Sequence, residues 1–207
     1  MQYKRIAVLI SGSGSNLQSL IDKQKNYFNG EIVYVFSNIR QAYGLERARQ
    51  NNIETGYLAK KDFLSPEDYD KKLVDLLKTR QIDLIVLAGY LRIITPVLID
   101  EYRDRIINIH PSLLPSFGGL GCYGLYVHEK VLERGCKVSG ATVHFVDEHA
   151  DAGPIIIQRA LQIDQNWSKE DLQKEVLKIE HQILPEAVKL FCDNRLEIKD
   201  KRVFIKE

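Results

Sequence analysis

The chain has 207 residues, 44% of them hydrophobic and 28% charged, a balance that fits a folded globular protein and excludes a disordered one. Lys plus Arg number 29 and Asp plus Glu 28, so the net charge is +1 and no global basic field is present for non-specific nucleic-acid binding. The three cysteines, Cys122, Cys136 and Cys192, show no CxxC spacing, which argues against a disulfide framework or a cysteine zinc site and for reduced thiols in a cytoplasmic protein.

The N-terminus, Met1-Gln2-Tyr3-Lys4-Arg5, is basic, but the apolar run behind it, Ile6 to Ile10, is too short for a signal-peptide core or a membrane span. Secretion and membrane insertion are therefore not expected. That run suits a buried parallel strand, and Leu17, Leu20 and Ile21 mark a helix after it. A second strand covers Ile32 to Phe36, a short helix Tyr43 to Asn51, and a third strand Glu54 to Leu58. Ser65-Pro66-Glu67-Asp68 opens a helix with Pro in its first turn and acids at its positive end, and Leu73, Leu76 and Leu77 form its buried stripe. Asp83 to Gly89 is the next strand.

Strands alternating with helices to this point predict an α/β fold with a doubly wound, mostly parallel twisted sheet flanked by helices, Rossmann-like in its N-terminal half. Ile106 to Ile109 reads as a short strand running into Pro111 to Pro115, which cannot be helical throughout. Val138 to Val146, with a break at Ser139-Gly140, and Pro154 to Ile163 alternate as half-buried strands. Residues 168–191 carry helical spacing, and the segment from Leu196 onward reads as a tail. No repeat or linker interrupts the chain, so a single domain over 1–207 is expected.

Gly12-Ser13-Gly14-Ser15-Asn16 lies between a strand and a helix, where backbone N–H groups and the positive helix end can face an anion. Asn16-Leu17 stands where a Walker A loop needs Gly-Lys-Ser/Thr, and Leu17 replaces the third Gly of a dinucleotide fingerprint. The second strand ends in Ser37-Asn38, with no acid to hold a ribose diol. The loop therefore reads either as a plain turn with Ser15 or Asn16 capping the helix, or as a site for one terminal phosphate with Ser11, Ser13, Ser15 and Asn16 as donors.

Asn108 and His110 fall on one face of a strand, since side chains alternate. An amide donor beside an imidazole suits carbonyl addition: the amide stabilises an oxyanion and the histidine moves a proton. The other histidines make no metal motif. Leu132 stands where an HExxH beginning at His128 needs its second His, and His144 and His149 are poorly spaced for chelation. Asp147, Glu148 and Asp151 follow the next strand, and whichever of them lies beside His110 would favour the imidazolium.

Together, Ile10 to Gln18, Phe36-Ser-Asn38, Gly44 to Ala48, Leu87 to Ile93, Asn108-Ile-His-Pro-Ser-Leu-Leu-Pro115, Thr142 to Val146 and Asp151-Ala-Gly-Pro154 resemble the glycinamide ribonucleotide formyltransferase family. The resemblance runs from about residue 5 to about residue 195. It implies that the glycine amine of the ribonucleotide attacks the formyl carbon of 10-formyltetrahydrofolate in purine biosynthesis. In that pattern Asn108 holds the oxyanion, His110 is the proton donor, and Asp151, the acid ahead of Gly-Pro, raises the histidine pKa and assists proton relay. Gly14, Ser15 and Asn16 would bind the substrate phosphate and Glu180 the ribose or glycinamide part. Leu91, Arg92, Ile93 and Ile94 would contact the pterin by backbone and apolar groups.

The resemblance thus makes residues 1–90 a phosphate-binding half, 91–195 a folate-binding and catalytic half, and 196–207 a tail. Small-molecule partners are expected, with no metal, no nucleic acid and no membrane, and a monomer or weak homodimer. Two positions depart from the family pattern. Pro66 stands where some members carry a folate-contacting arginine, and Ser116 to Gly124 replaces a Pro-Gly-His segment. The glycines at 118, 119, 121 and 124 suggest a mobile lid over the folate site.

Overall fold

The computed structural model describes residues 3–207; Met1 and Gln2, the start of the basic N-terminus, lie outside the described residues. The first half runs β1 (Lys4–Ile10), α1 (Ser15–Tyr27), β2 (Gly30–Ser37), α2 (Tyr43–Gln50), β3 (Glu54–Tyr57), α3 (Pro66–Thr79) and β4 (Leu84–Leu87). The second half runs α4 (Pro96–Glu101), β5 (Ile106–His110), α5 (Leu125–Glu133), β6 (Val138–Phe145), β7 (Ile155–Gln162), α6 (Lys169–Cys192), β8 (Leu196–Lys199) and β9 (Arg202–Ile205). Seven strands form one sheet in the order β3-β2-β1-β4-β5-β6-β7. The first five are mutually parallel, and β6 runs antiparallel to both β5 and β7, so the expected α/β class and mostly parallel sheet are what the chain adopts.

β1 is apolar throughout because it is covered on both faces. Ile6, Val8 and Ile10 enter one core with Leu17 and Leu20 of α1 and Ile183 and Leu184 of α6. Ala7 and Leu9 enter a second core with Tyr69, Leu73 and Leu77 of α3. Each fully buried Leu, Ile or Val contributes about 1.5–3 kcal/mol. Caps fix where the long helices begin. The Ser65 hydroxyl accepts from the Asp68 N–H at 3.1 Å, with Pro66 at the first helical position, and Ser168 and Asp171 form a reciprocal capping box at the start of α6.

Two sequence expectations are corrected here. β6 has no break at Ser139-Gly140 but runs through it, because Gly140 allows β7 and the chain at Leu113 to approach closely. A Cβ on Gly140 would lie 2.1 Å from the Arg159 carbonyl oxygen and 2.8 Å from Leu113 Cδ2. The segment from Leu196 is a hairpin, β8 paired with β9, whose Val203 packs against the first core.

The order β2-β1-β4 places the chain reversal between β1 and β4. Helices leave opposite faces of the sheet there, which opens a crevice at the carboxyl ends of the strands. The loops after β1 and β4 and the end of β5 meet at that crevice. No helix among the described residues is long and apolar enough to cross a membrane.

Candidate active site

A cavity of about 680 Å³ occupies the crevice, within the usual size of small-ligand sites. Gly14, Ser15, Asn16, Leu91, Arg92, Ile93, Ile94, Asn108, His110, Asp151 and Glu180, the residues singled out from the sequence, all border it.

The loop after β1 reaches the cavity through a left-handed residue. Gly14 is the N-cap of α1 at φ 70°, and no side chain caps that helix, so neither Ser15 nor Asn16 plays the capping part that a plain turn predicts. The first-turn amides of α1 therefore have no side-chain acceptor. Behind the loop, Arg47 of α2 donates through Nε to the Ser13 carbonyl at 2.9 Å. Asn16 is buried; its Nδ2 donates to Glu180 Oε2 at 2.6 Å, while its Oδ1 has no partner among the described residues. Burial pushes the Glu180 carboxyl up, and the Asn16 hydrogen bond opposes it. Ser11 is not a free donor as expected, because its hydroxyl donates to Asn38 Oδ1 at 2.6 Å and accepts the Leu91 N–H at 2.8 Å.

The loop after β4 gives the cavity its apolar wall. Leu91 and Ile93 are 59% and 63% exposed, with Ile94, Ile99 and Val146 beside them. Apolar side chains left open in a concave site fit a flat apolar ligand. The Arg92 side chain turns away toward α3, so Leu91 to Ile94 present backbone and apolar groups to the cavity.

Asn108 and His110 occupy alternate positions of β5, as predicted. Antiparallel pairing sets His144 of β6 directly opposite Asn108. His144 Nδ1 lies 2.7 Å from the Phe145 carbonyl, which only accepts, so Nδ1 carries the proton and Nε2 accepts from Asn108 Nδ2 at 3.1 Å. The second Asn108 amide hydrogen faces Asp151 Oδ1 at a long 3.4 Å. His110 Nε2 donates to the Phe117 carbonyl at 2.8 Å, which leaves Nδ1 3.5 Å from Asp151 Oδ2.

Of the three acids left open by the sequence, only Asp151 reaches the imidazoles. Asp147 accepts from the His149 N–H, and Glu148 pairs with Arg103. The ligand atoms of Asp147, Glu148 and His149 do lie within 4.8 Å of one another, but on a turn whose exposed acids are already engaged. Asp151 is held at φ 56°, with Oδ2 accepting the Gly119 N–H at 2.9 Å. Gly153 makes that turn possible, since a Cβ there would fall 2.0 Å from the Phe145 carbonyl oxygen.

Burial tends to raise the Asp151 carboxyl, yet His144 and His110, through the positive charge each carries when protonated, and the Gly119 N–H outweigh it and hold the group below its ordinary range. For His110 the balance is reversed. Burial lowers its pKa more than the Asp151 carboxylate and the Phe117 carbonyl raise it, so Asp151 acts in the expected direction but does not prevail. Burial thus favours the neutral imidazole, whose Nδ1 lies beside the Asp151 carboxylate.

Sequence reasoning missed His144, which becomes visible only once the β5–β6 register is known. It also passed over His128, a buried residue of α5 whose Nδ1 has no partner among the described residues; burial and the nearby His110 push its pKa down to about 4. Gln173 and Leu177 line the cavity too, and their i, i+4, i+7 relation to Glu180 on α6 was a signal that could have found them.

Comparison with known proteins accords with this geometry. The formyl transferase family model matches residues 4–188. The chain is 41% identical over 201 residues to phosphoribosylglycinamide formyltransferase of Escherichia coli K12, covering 97% of this chain and 92% of that protein. It is 44% identical over 193 residues to the trifunctional purine biosynthetic protein adenosine-3 of Drosophila melanogaster, covering 92% of this chain and 14% of that longer protein. The crystal structure of glycinamide ribonucleotide transformylase 1 from Symbiobacterium toebii superposes with a TM-score of 0.94 at 41% identity, over 99% of this chain and 94% of that one. A shared fold alone would not carry function, but identity at this level over the whole site-bearing sheet does assign the family. The chain belongs to the formyl transferase family, among its phosphoribosylglycinamide formyltransferases.

Proposed function

We propose that the protein transfers the formyl group of 10-formyltetrahydrofolate to the amine of phosphoribosylglycinamide, giving the formylated ribonucleotide and tetrahydrofolate. The observation that carries this is the opening of Asn108, His110 and Asp151 into the same cavity as an uncapped glycine loop and an apolar wall. The ribonucleotide phosphate lies against Gly14, Ser15 and Asn16, and Glu180 takes the ribose or glycinamide end. The folate lies along Leu91, Arg92, Ile93 and Ile94, recognised by backbone and apolar groups.

The neutral amine adds to the formyl carbon, forming a C–N bond and an oxyanion that the Asn108 amide receives. The proton lost by the attacking nitrogen passes through the Asp151–His110 pair. His110 delivers it to N10 of the folate as that C–N bond breaks, so no proton is gained or lost overall. Asp151 stabilises the imidazolium that burial alone disfavours. The Gly118–Gly124 segment, which borders the cavity and includes Gly119, the donor to Asp151, serves as a lid over the folate.

The test follows tetrahydrofolate formation from 10-formyltetrahydrofolate with and without phosphoribosylglycinamide. Turnover that requires the ribonucleotide is the expected result. Turnover without it would make the protein a hydrolase, and no turnover in either case would overturn the proposal.

A further inference from the structure

The loop joining β4 to α4 has no regular structure, yet two of its residues are tied to one buried carboxylate on α3. Asp70 is fully buried. Its Oδ1 accepts from Arg92 Nη2 at 3.2 Å, and its Oδ2 accepts the Thr95 N–H at 2.6 Å. Arg92 Nη2 also donates to the Pro66 carbonyl at 3.0 Å, and its guanidinium carbon sits 4.1 Å from the centre of the Tyr69 ring. Asp70 therefore grips the loop at residues 92 and 95, while Leu91 is fixed from the other side by Ser11. Among the described residues, the amides of Arg92, Ile93 and Ile94 have no protein acceptor.

Moving a carboxylate and a guanidinium out of water is costly, and an apolar pair of equal volume is often at least as stable. Stability is therefore a weak reason for this pair. Its geometry gives a better one. A planar guanidinium stacked on a ring and bonded to two acceptors can occupy only one orientation, and this fixes the backbone on either side of it. Asp70 itself does not border the cavity.

We propose that Asp70 is a positioning residue for the formyl donor. Through Arg92 and Thr95 it holds Leu91 to Ile94 as a preformed shelf, so that the open amides and apolar side chains need no ordering when the donor binds. The same bonds neutralise Arg92 and keep it from the donor's carboxylates. This inference rests on the placement of the folate along Leu91 to Ile94.

Steady-state kinetics of Asp70→Asn in the full chain, with each substrate varied in turn, tests it. Asn keeps the shape and one acceptor but sets either an NH₂ against the guanidinium donors or an NH₂ against the Thr95 amide. The expected result is a KM for 10-formyltetrahydrofolate raised about tenfold, with kcat and the ribonucleotide KM within about twofold. A donor KM within twofold of wild type, or loss of activity that only tracks the folded fraction, overturns the proposal. If Asp70→Asn does not fold, Arg92→Lys must raise the donor KM selectively, since it keeps the charge and loses the planar group that stacks on Tyr69; otherwise the proposal fails. Leu91→Ala and Ile93→Ala separate the two layers. A raised donor KM in these variants with none in Asp70→Asn rejects the positioning role alone. No change in any of them, with transfer intact, rejects the folate placement and the positioning role with it.

Discussion

Gly44→Ala is the most direct probe of the phosphate loop, because the loop rests against that glycine. An ideal Cβ at residue 44 would lie 2.3 Å from Ile10 Cδ1 and 3.1 Å from Gly14 Cα. Carbon contacts relax at about 3.5–4.0 Å, so the Ile10 contact must open by more than an ångström. Ile10 is fully buried and has little room to move, so the strain passes to α2 and to the loop that the Gly44 N–H holds through the Gly12 carbonyl at 3.1 Å. Overpacking of this kind costs about 1–3 kcal/mol. Part of that appears as a displaced Gly14 and a ribonucleotide KM raised about tenfold, or ~1.4 kcal/mol. Gly12→Ala is the control: its Cβ would meet nothing within 4 Å, so the fold tolerates it, but the new methyl enters the space assigned to the phosphate. Thermal melts and kinetics with each substrate varied should show Gly44→Ala losing both stability and ribonucleotide affinity, and Gly12→Ala losing affinity alone. Wild-type melting and KM in Gly44→Ala would refute the packing argument, and a wild-type KM in Gly12→Ala would refute the phosphate assignment.

Asn108→Ala should lower kcat by about 10²–10³, as loss of an oxyanion donor does, and His110→Ala should lower kcat with less effect on either KM; near-wild-type turnover in either would remove that residue from the chemistry. Asp151→Asn removes the charge that opposes burial at His110, so the imidazole pKa should fall further, read by NMR titration, with a loss in kcat of about 10²–10⁴. His128, at about 4 folded against 6.5 unfolded, stays neutral in the fold, so its contribution is fully present above pH 6.5 and is lost as pH falls through 4. That linkage is worth about 3 kcal/mol, and denaturant melts of His128→Gln should lose less stability than wild type over this window; equal losses would count against it. Folate binding should raise hydrogen-exchange protection across Gly118 to Gly124, and equal protection with and without folate would reject the lid.

Local pattern was enough to determine much of this protein. Continuous apolar runs specify β1, β2 and β4 because those strands are covered on both faces, and Ser65-Pro66 and Ser168 specify helix starts because capping is a contact between near neighbours. Asn108 and His110 share a face simply because strand side chains alternate. The short helices α4 and α5 escaped notice, since neither Pro96 to Glu101 nor Leu125 to Glu133 is long enough to display a clear apolar period. Other features existed only once distant segments met. His144 joins the site through a strand register, Asn16 meets Glu180 across 164 residues, and Ser11 is taken up by Asn38 and Leu91. The choice of Asp151 over Asp147 and Glu148, made from the sequence only by family resemblance, follows physically from a left-handed backbone and a glycine contact. The lowered pKa of His110 follows from desolvation, which depends on everything packed around the ring and is therefore set by the tertiary structure alone.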